Sequence, residues 1–502
     1  AKMYKPLGFN DGLRNIMITG HENGLVRFID ITKGEQLGGE SIVQVALKPT
    51  LYDYHNPANL KVIKVSCSFQ TRQLLVGLAS GEVVICRFGK TPNVKNAGIS
   101  SSKDYSDCPI HHGNGCALLV DISGRISGSV ATSASFLPLY LLRLDPSEQI
   151  SVLKMSDSGF AAVGYKSGRL VVCDISRGPA VIFNLANVKE NLVSVTGNCY
   201  PTVLEFSIME FGIDGYSSLV LNVGTNCGGN LLFYKITPMG NGGYQVEFAN
   251  KTAHLNYRTA DGGDAEASKL LQLIPIDAQY GLSAVADEKK FNQLATGVPI
   301  PGYIITVSDR DIRVITPPKT KLAHKVVEDV CLKASVVHYK DKGVVLALLV
   351  RTGFIKLLSL PSLHDIANIK LPKETYRMVQ ESLESGTALD SDLLSSGEMF
   401  VRTSATESVY ISPYEKTKSR DDSETDKLFN PNAIIPPRPS ASTLLWAKGQ
   451  ISYVSVEDLA MLIAGPHRKA PKTEESNLAH NISPEANPQA NYGGYNARAP
   501  RE

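Results

Sequence analysis

The residues best suited to hold a metal lie in CPIHHGNGC, where Cys108, His111 or His112, and Cys116 stand at spacings that zinc accepts. A tetrahedral site needs a fourth ligand, and the stretch offers no second cysteine pair to supply it. The competing reading is a loop within a long insertion, and no cofactor is expected. Other chemistry is thinner still. GLASG (77–81) and GYKSG (164–168) approach a nucleophile elbow, but neither is GxSxG, and both read as turns between strands rather than strand-to-helix turns. GTNCGG (224–229) is a glycine-rich turn with no helix after it to present an N-terminus to phosphate, and no GxxxxGK[ST] loop occurs. Asp309 and Asp311 in SDRDIRV resemble a carboxylate pair, although aspartates in turns ordinarily bond to nearby backbone. The ten histidines show no repeated placement at strand ends, as a channel-lining active site would require.

The elements that would position any such residues are strands. Apolar residues make up 43% of the chain and charged residues 20%, which suits a globular protein with a large core. A net charge of +2 gives no overall pull toward nucleic acid or an anionic membrane. The eight cysteines are scattered, with Cys86 and Cys173 inside apolar runs, a pattern of free thiols in a reducing compartment rather than a disulfide framework. No run approaches the about 18 apolar residues of a membrane helix, and AKMYKPLGFN is not followed by the apolar core of a signal peptide. The chain opens without Met, almost directly on a repeat unit, so it is expected to be the later part of a longer protein.

The repeat is a hairpin. ITGHENGLVRFID (18–30) reads as strand, turn at Asn23-Gly24, and strand. The pattern recurs in LLVGLASGEVVICRF (74–88), AAVGYKSGRLVVCDI (161–175), LNVGTNCGGNLLFYKI (221–236), IITVSDRDIRVI (304–315), ALLVRTGFIKLLSL (347–360) and MFVRTSATESVYIS (399–412). Flanking runs such as ISVLKMS (150–156), AVIFNL (180–185), KASVVHY (333–339) and HDIANIKL (364–371) bring the content to four strands per unit. These features predict an all-β chain, a seven-bladed WD40-like β-propeller over 1–412 with long blade insertions and a C-terminal tail. The insertions are placed at 89–147 and 251–301, the second with a short helix within 281–297. An open β-sandwich is the alternative, ranked lower because the same hairpin recurs seven times. After Ser412 a charged, proline-rich linker occupies 413–443, an apolar segment 444–466, and a terminal stretch of disorder-prone composition 467–502. Within the apolar segment QISYVS (450–455) is expected to be a strand that closes the ring, and a short helix runs to Ala464. Trp446, Leu459, Met461, Leu462 and Ile463 crowd this segment, and a helix so short must pack on something. Trp446, Leu459, Leu462 and Ile463 are therefore the candidate docking residues, against this propeller or against another surface.

TGHENGLVRFID (19–30), LLVGLASGEVVICRF (74–88) and AAVGYKSGRLVVCDI (161–175) together resemble the lethal giant larvae and tomosyn family, the fungal branch in particular. TGHENGLVRF is the most specific match, and the resemblance covers roughly 1–412. It implies two consecutive seven-bladed propellers and a tail, of which this chain is the second propeller plus the tail. It implies a non-enzymatic regulator of exocytosis and polarity, cytoplasmic and peripheral at the plasma membrane. The implied partners are plasma-membrane SNARE proteins, a Rab-type GTPase of secretory vesicles, exocyst components and the upstream propeller of the same protein. For the tail, the sharper alternative to packing on this propeller is docking on the upstream one, to mask a SNARE site. Two departures stand out. The apolar tail breaks at Gly465-Pro466, so the long SNARE-type coiled coil of tomosyns is absent, and VKNAGISSSKDYSD (94–107) lacks the basic cluster of the kinase-regulated loop in animal members. The competing function classes are a WD40-like scaffold in another trafficking complex such as a vesicle coat, and a propeller hydrolase with channel-lining acids.

Overall fold

The structure is a computed structural model that describes residues 16–30, 42–47, 60–89, 116–123, most of 135–338, 343–371, part of 373–411, and Ala441, Leu444 and Leu445. Among the described residues, seven antiparallel sheets of three to five strands follow one another along the chain. The first comprises β1 (Ile16–Gly20), β2 (Leu25–Asp30) and β3 (Ile42–Ala46). The second has β4 (Val62–Ser68), β5 (Gln73–Leu78), β6 (Val83–Gly89), β7 (Cys116–Asp121) and β8 (Ser135–Asp145), with β8 fourth and β7 at the outer edge. The third has β9 (Ile150–Met155), β10 (Phe160–Tyr165), β11 (Leu170–Asp174) and β12 (Ala180–Leu185). The fourth has β13 (Pro201–Glu210), β14 (Ser217–Thr225), β15 (Leu231–Pro238) and β16 (Tyr244–Thr252), followed by a small ribbon of β17 (Tyr257–Arg258) and β18 (Asp264–Ala265). The fifth has β19 (Gln272–Asp277), β20 (Gly302–Val307), β21 (Asp311–Thr316) and β22 (Thr320–Val326). The sixth has β23 (Cys331–His338), β24 (Val344–Val350), β25 (Phe354–Ser359) and β26 (Asp365–Lys370). The seventh has β27 (Ser391–Leu393), β28 (Met399–Arg402) and β29 (Ser408–Ile411).

These sheets are propeller blades. The first described strand of each sheet touches that of the next, β1 to β4, β4 to β9, β9 to β13, β13 to β19, β19 to β23 and β23 to β27, as blades around a common axis must. The seven sequence hairpins are the strand pairs β1–β2, β5–β6, β10–β11, β14–β15, β20–β21, β24–β25 and β28–β29. In the middle of a blade both faces of a strand are covered by neighbouring blades, so β5, β10 and β20 are buried at every residue. Register follows the turn, with Leu75 opposite Ile85, Val163 opposite Val171 and Ile305 opposite Val314.

One backbone bond recurs after the fourth strand. The returning chain donates to a carbonyl in the turn between the second and third strands: Val188 to Gly168 (2.8 Å), Val327 to Arg310 (2.8 Å), Leu371 to Gly353 (3.0 Å) and Leu47 to Gly24 (3.2 Å). The bond from Leu47 identifies β1–β3 as the second, third and fourth strands of their blade. By hairpin alignment β27–β29 are the first, second and third of theirs. A complete four-strand set therefore appears only in the second to sixth blades among the described residues.

The stretches expected as insertions are partly blade. Residues 89–147 contain β7 and β8, and 251–301 contain the last residues of β16, the β17–β18 ribbon and the leading strand β19. The central hairpins alone carry a distinctive turn, so strands flanking them merge with the loops in the sequence. The expected helix is present as α1 (Glu288–Thr296), in the connection between β19 and β20.

Candidate interaction face

In a blade of up-and-down strands, the connections from first to second strand all emerge on one face of the ring. The 278–301 connection of the fifth blade is far longer than its counterparts and runs across its neighbours on that face. It first forms a bridge back to its own blade, Ser283 with Ile276, then crosses to the fourth blade through a bridge of Val285 with Ser207. Ile208 donates to the Ala284 carbonyl (3.0 Å) and Ala286 to the Phe206 carbonyl (2.9 Å), so the segment is stitched to the leading strand of the fourth blade.

Helix α1 follows. Asp287 caps it, accepting from Lys290 N (2.7 Å), and Gly297 ends it in the left-handed conformation at φ 74°. Its N-terminus reaches the second blade, where Gln70 Oε1 accepts from Glu288 N (3.0 Å). Phe291 is fully buried beside Phe160 and shares a core with Phe206, Tyr244, Leu294, Ala295 and Ile300. Lys290 pairs with Asp277 at 3.2 Å, both side chains buried.

Charged groups cluster where α1 meets the leading strands. Lys154 of β9 pairs with Glu205 of β13 at 2.7 Å, and Ser68 donates to Asp157 at 2.6 Å. Burial pushes the Glu205 carboxyl up against the opposing pull of Lys154. Burial likewise raises Asp157, and burial with neighbouring Asp287 pushes Glu288 up to about 7. Lys154 stays above the ordinary lysine range, burial opposing the charge and Glu205 holding it. Sequence reasoning missed these acids. The Asp-Glu pair just before KKF marks a helix start, but nothing in the sequence places it beside β9 and β13.

The same face carries exposed apolar side chains from three connections, Phe69 (46% exposed), Tyr216 (65%) and Val298 (51%). It also receives the tail. Ala441, Leu444 and Leu445 have helical backbone and are buried, and Ala441 and Leu444 join the core of Phe291, Leu294 and Ile300. Helical backbone is thus present at Ala441, inside the stretch expected as a linker, and Ala441 and Leu444, three residues apart, share one helix face. The expected strand 450–455, the helix to Ala464, and Trp446, Leu459, Met461, Leu462 and Ile463 lie outside the described residues.

The other candidates fall apart from this face. Cys116 is half-buried at the head of β7, Cys108, His111 and His112 lie outside the described residues, and among the described residues no three metal-capable side chains converge. GLASG and GYKSG are turns between second and third strands. The Asp311 carboxylate meets Arg313 Nε at 2.8 Å and the His324 ring of β22, an intrablade tie. Comparable ties join Glu82 to Arg143 of β8 (3.8 Å) and Arg169 to Asn184 of β12 (3.1 Å), so buried polar groups beside the third strand hold the fourth. Among the described residues, no helix is long and apolar enough to cross a membrane.

Residues 59–472 match the family described as "Lethal giant larvae(Lgl) like, C-terminal". A relative in Saccharomyces cerevisiae, Lethal(2) giant larvae protein homolog SRO77, is 28% identical over 488 residues, 93% of this chain and 45% of that protein. The chain therefore spans less than half of that relative's length. Among solved structures, Sqt1 from Chaetomium thermophilum aligns with a TM-score of 0.43 at 10% identity, over 77% of this chain and 76% of that one. A chain of the mitotic checkpoint complex aligns with a TM-score of 0.39 at 10% identity, over 82% and 91%.

Proposed function

We propose, from the premise that the chain belongs to the lethal giant larvae family, that it is a non-enzymatic scaffold regulating polarised exocytosis. The match across 59–472 carries the reading. Its partners are plasma-membrane SNARE proteins, a secretory Rab-type GTPase and exocyst components, met at the cytoplasmic side of the plasma membrane. An upstream propeller of the same protein is a further partner. Rigid blades present variable connections, the arrangement by which a propeller recognises other proteins without chemistry of its own. The face bearing Phe69, Tyr216, Val298 and the entry of the tail supports a binding role, since exposed apolar side chains beside a docked segment suit a surface that exchanges occupants. The tail beyond Leu445 acts as an autoinhibitory segment in this reading.

Affinity for a purified plasma-membrane SNARE and for a GTP-loaded secretory Rab, measured with and without 444–502, tests it. Binding of either supports the scaffold, and tighter SNARE binding after truncation supports autoinhibition. Unchanged SNARE affinity removes autoinhibition. Failure to bind both, with retention of coat subunits from cytosol, favours a scaffold of a vesicle coat.

One observation favours a second reading. Raised carboxylates at Asp157, Glu205 and Glu288 are what a channel-mouth hydrolase would show. Against it, Glu205 is tied to Lys154 and Asp157 to Ser68. Hydrolysis of a panel of ester and glycoside substrates that Glu205→Gln abolishes would establish the enzyme.

A further inference from the structure

We propose that Cys199 and Cys227 form a reversible intramolecular disulfide when the protein meets a hydroperoxide. The two cysteines lie on different segments of the fourth blade, Cys199 just ahead of β13 and Cys227 in the turn after β14. In the β13–β14 register Pro201 stands opposite Thr225. Continuing that antiparallel register by two residues sets Tyr200 opposite Asn226 and Cys199 opposite Cys227.

One backbone bond carries the pairing a residue further, and side-chain bonds hold the two segments together beyond it. Asn226 N donates to the Tyr200 carbonyl (3.2 Å), and Tyr200 N donates back to Asn226 Oδ1 (2.7 Å). Asn226 Nδ2 and the Cys227 thiol both reach the Asn198 carbonyl, at 3.0 and 3.5 Å. Opposed residues in an antiparallel pair have Cα atoms about 4.5–5.5 Å apart, inside the about 7 Å limit for a disulfide. The Cys227 thiol lies near enough to help raise the Cys199 thiol, and both cysteines are free.

Their environments divide the roles. Cys227 is half-buried on a turn, and Cys199 is fully buried, its thiol pushed up to about 12 by burial and then by Cys227. Cys227 is the thiol an oxidant reaches. Its thiolate attacks one peroxide oxygen, the O–O bond breaks, and hydroxide (or alkoxide) leaves, giving a sulfenic acid. The Cys199 sulfur then attacks the sulfenic sulfur. The S–S bond forms, the S–O bond breaks, and water departs with the Cys199 proton. Two thiols are oxidised and one hydroperoxide is reduced, to water and an alcohol or to two waters.

The pair of Cys67 and Cys86 provides a contrast. Both are registered to Leu74, on opposite sides of β5, so a whole strand separates them. Two inter-strand steps make about 9.5 Å, beyond the reach of a disulfide. The link at Cys199–Cys227 would clamp the connection entering the fourth blade to the turn GTNCGG, on the face opposite α1.

The test treats the folded chain with hydrogen peroxide, alkylates remaining thiols in denaturant, and maps peptides by mass. The expected result is a cross-linked Cys199–Cys227 peptide lighter by two hydrogens than the reduced pair, with Cys86 and Cys173 alkylated, and recovery of both thiols with dithiothreitol. In Cys199→Ser the link is lost and dimedone traps Cys227 as a sulfenic acid. Recovery of both cysteines as alkylated thiols after peroxide overturns the proposal. So does a Cys227 that ends in wild type as a dimedone adduct or a sulfinic acid without the link. The wild-type map decides even where a variant fails to fold.

Discussion

Glu288 sits at the first turn of α1, where a negative charge is ordinarily welcome, yet burial and the adjacent Asp287 push its carboxyl from 4.5 up to about 7. A carboxyl whose pKa is higher folded than unfolded binds its proton more tightly in the native state. Its contribution to stability is complete below about pH 4.5 and is lost as the pH rises through about 7. Glu288→Gln removes this dependence. The variant is expected to melt higher than wild type at pH 8, with the gap closing by pH 5. Melting curves across that range check it, and a gap independent of pH would assign the effect to something other than titration. Lys154 and Glu205 make a second case. Lys154→Met leaves Glu205 buried without its cation. The expected cost is about 3 kcal/mol, the low end for orphaning one partner of a buried pair, because a third of the Lys154 side chain meets solvent. Lys154→Met with Glu205→Leu is expected to recover most of that loss in urea unfolding, since no charge is then stranded.

Among the elements, the turns between second and third strands set the register of each blade. Gly168 shows why one of them needs glycine. Its φ is 100°, and an added Cβ would stand 2.4 Å from Asn187 Oδ1. Asn187 cannot withdraw freely, because it caps the turn at Val188–Asn191 and its side chain donates to the Ser167 carbonyl. Gly168→Ala is expected to cost more than the about 1 kcal/mol of an unfavourable φ alone. A loss below that, measured by urea unfolding, would show that the Asn187 cap yields. These turns explain what was legible in the sequence. Strands such as β10 and β20 are buried on both faces, so they appear as unbroken apolar runs around a recognisable turn. Outer strands are edges and look different. β22 (TKLAHKV) is mostly exposed and carries two lysines and a histidine, so its sequence does not distinguish it from a loop. The 278–301 connection was legible only as a place with a helix. Its path across blades depends on Phe291 finding the pocket beside Phe160 and on Gln70 meeting the helix end, contacts between residues far apart in sequence.

For the whole molecule, the question is whether the tail is an appendage or part of the core. Leu444 and Ala441 share one apolar cluster with Phe291 of α1, Phe160 of the third blade, and Phe206 and Tyr244 of the fourth. Segments separated by about 150 residues, Phe291 and Leu444, thus complete the same core. Truncating either leaves a cavity with a cost of about 2–5 kcal/mol for Leu444→Ala and about 3–5 kcal/mol for Phe291→Ala. If the tail packs only because α1 presents its apolar face, the second truncation finds much of the cluster already loosened. The double variant is then expected to lose less than the sum of the singles, by 0.5 kcal/mol or more, as coupled neighbours do. Amide exchange supplies the structural half of the test. Leu444→Ala is expected to raise exchange in 288–296 while leaving β24 and β25 of the distant sixth blade protected, since local opening follows the contacts that are lost. Additive losses and an unchanged α1 would mean that the tail rests on the ring without supporting it, and a partner displacing the tail would then leave the 278–301 connection in place. Coupled losses would mean that displacing the tail also loosens α1 and the face that carries Phe69, Tyr216 and Val298, so that occupancy of the tail site and the shape of the binding surface change together.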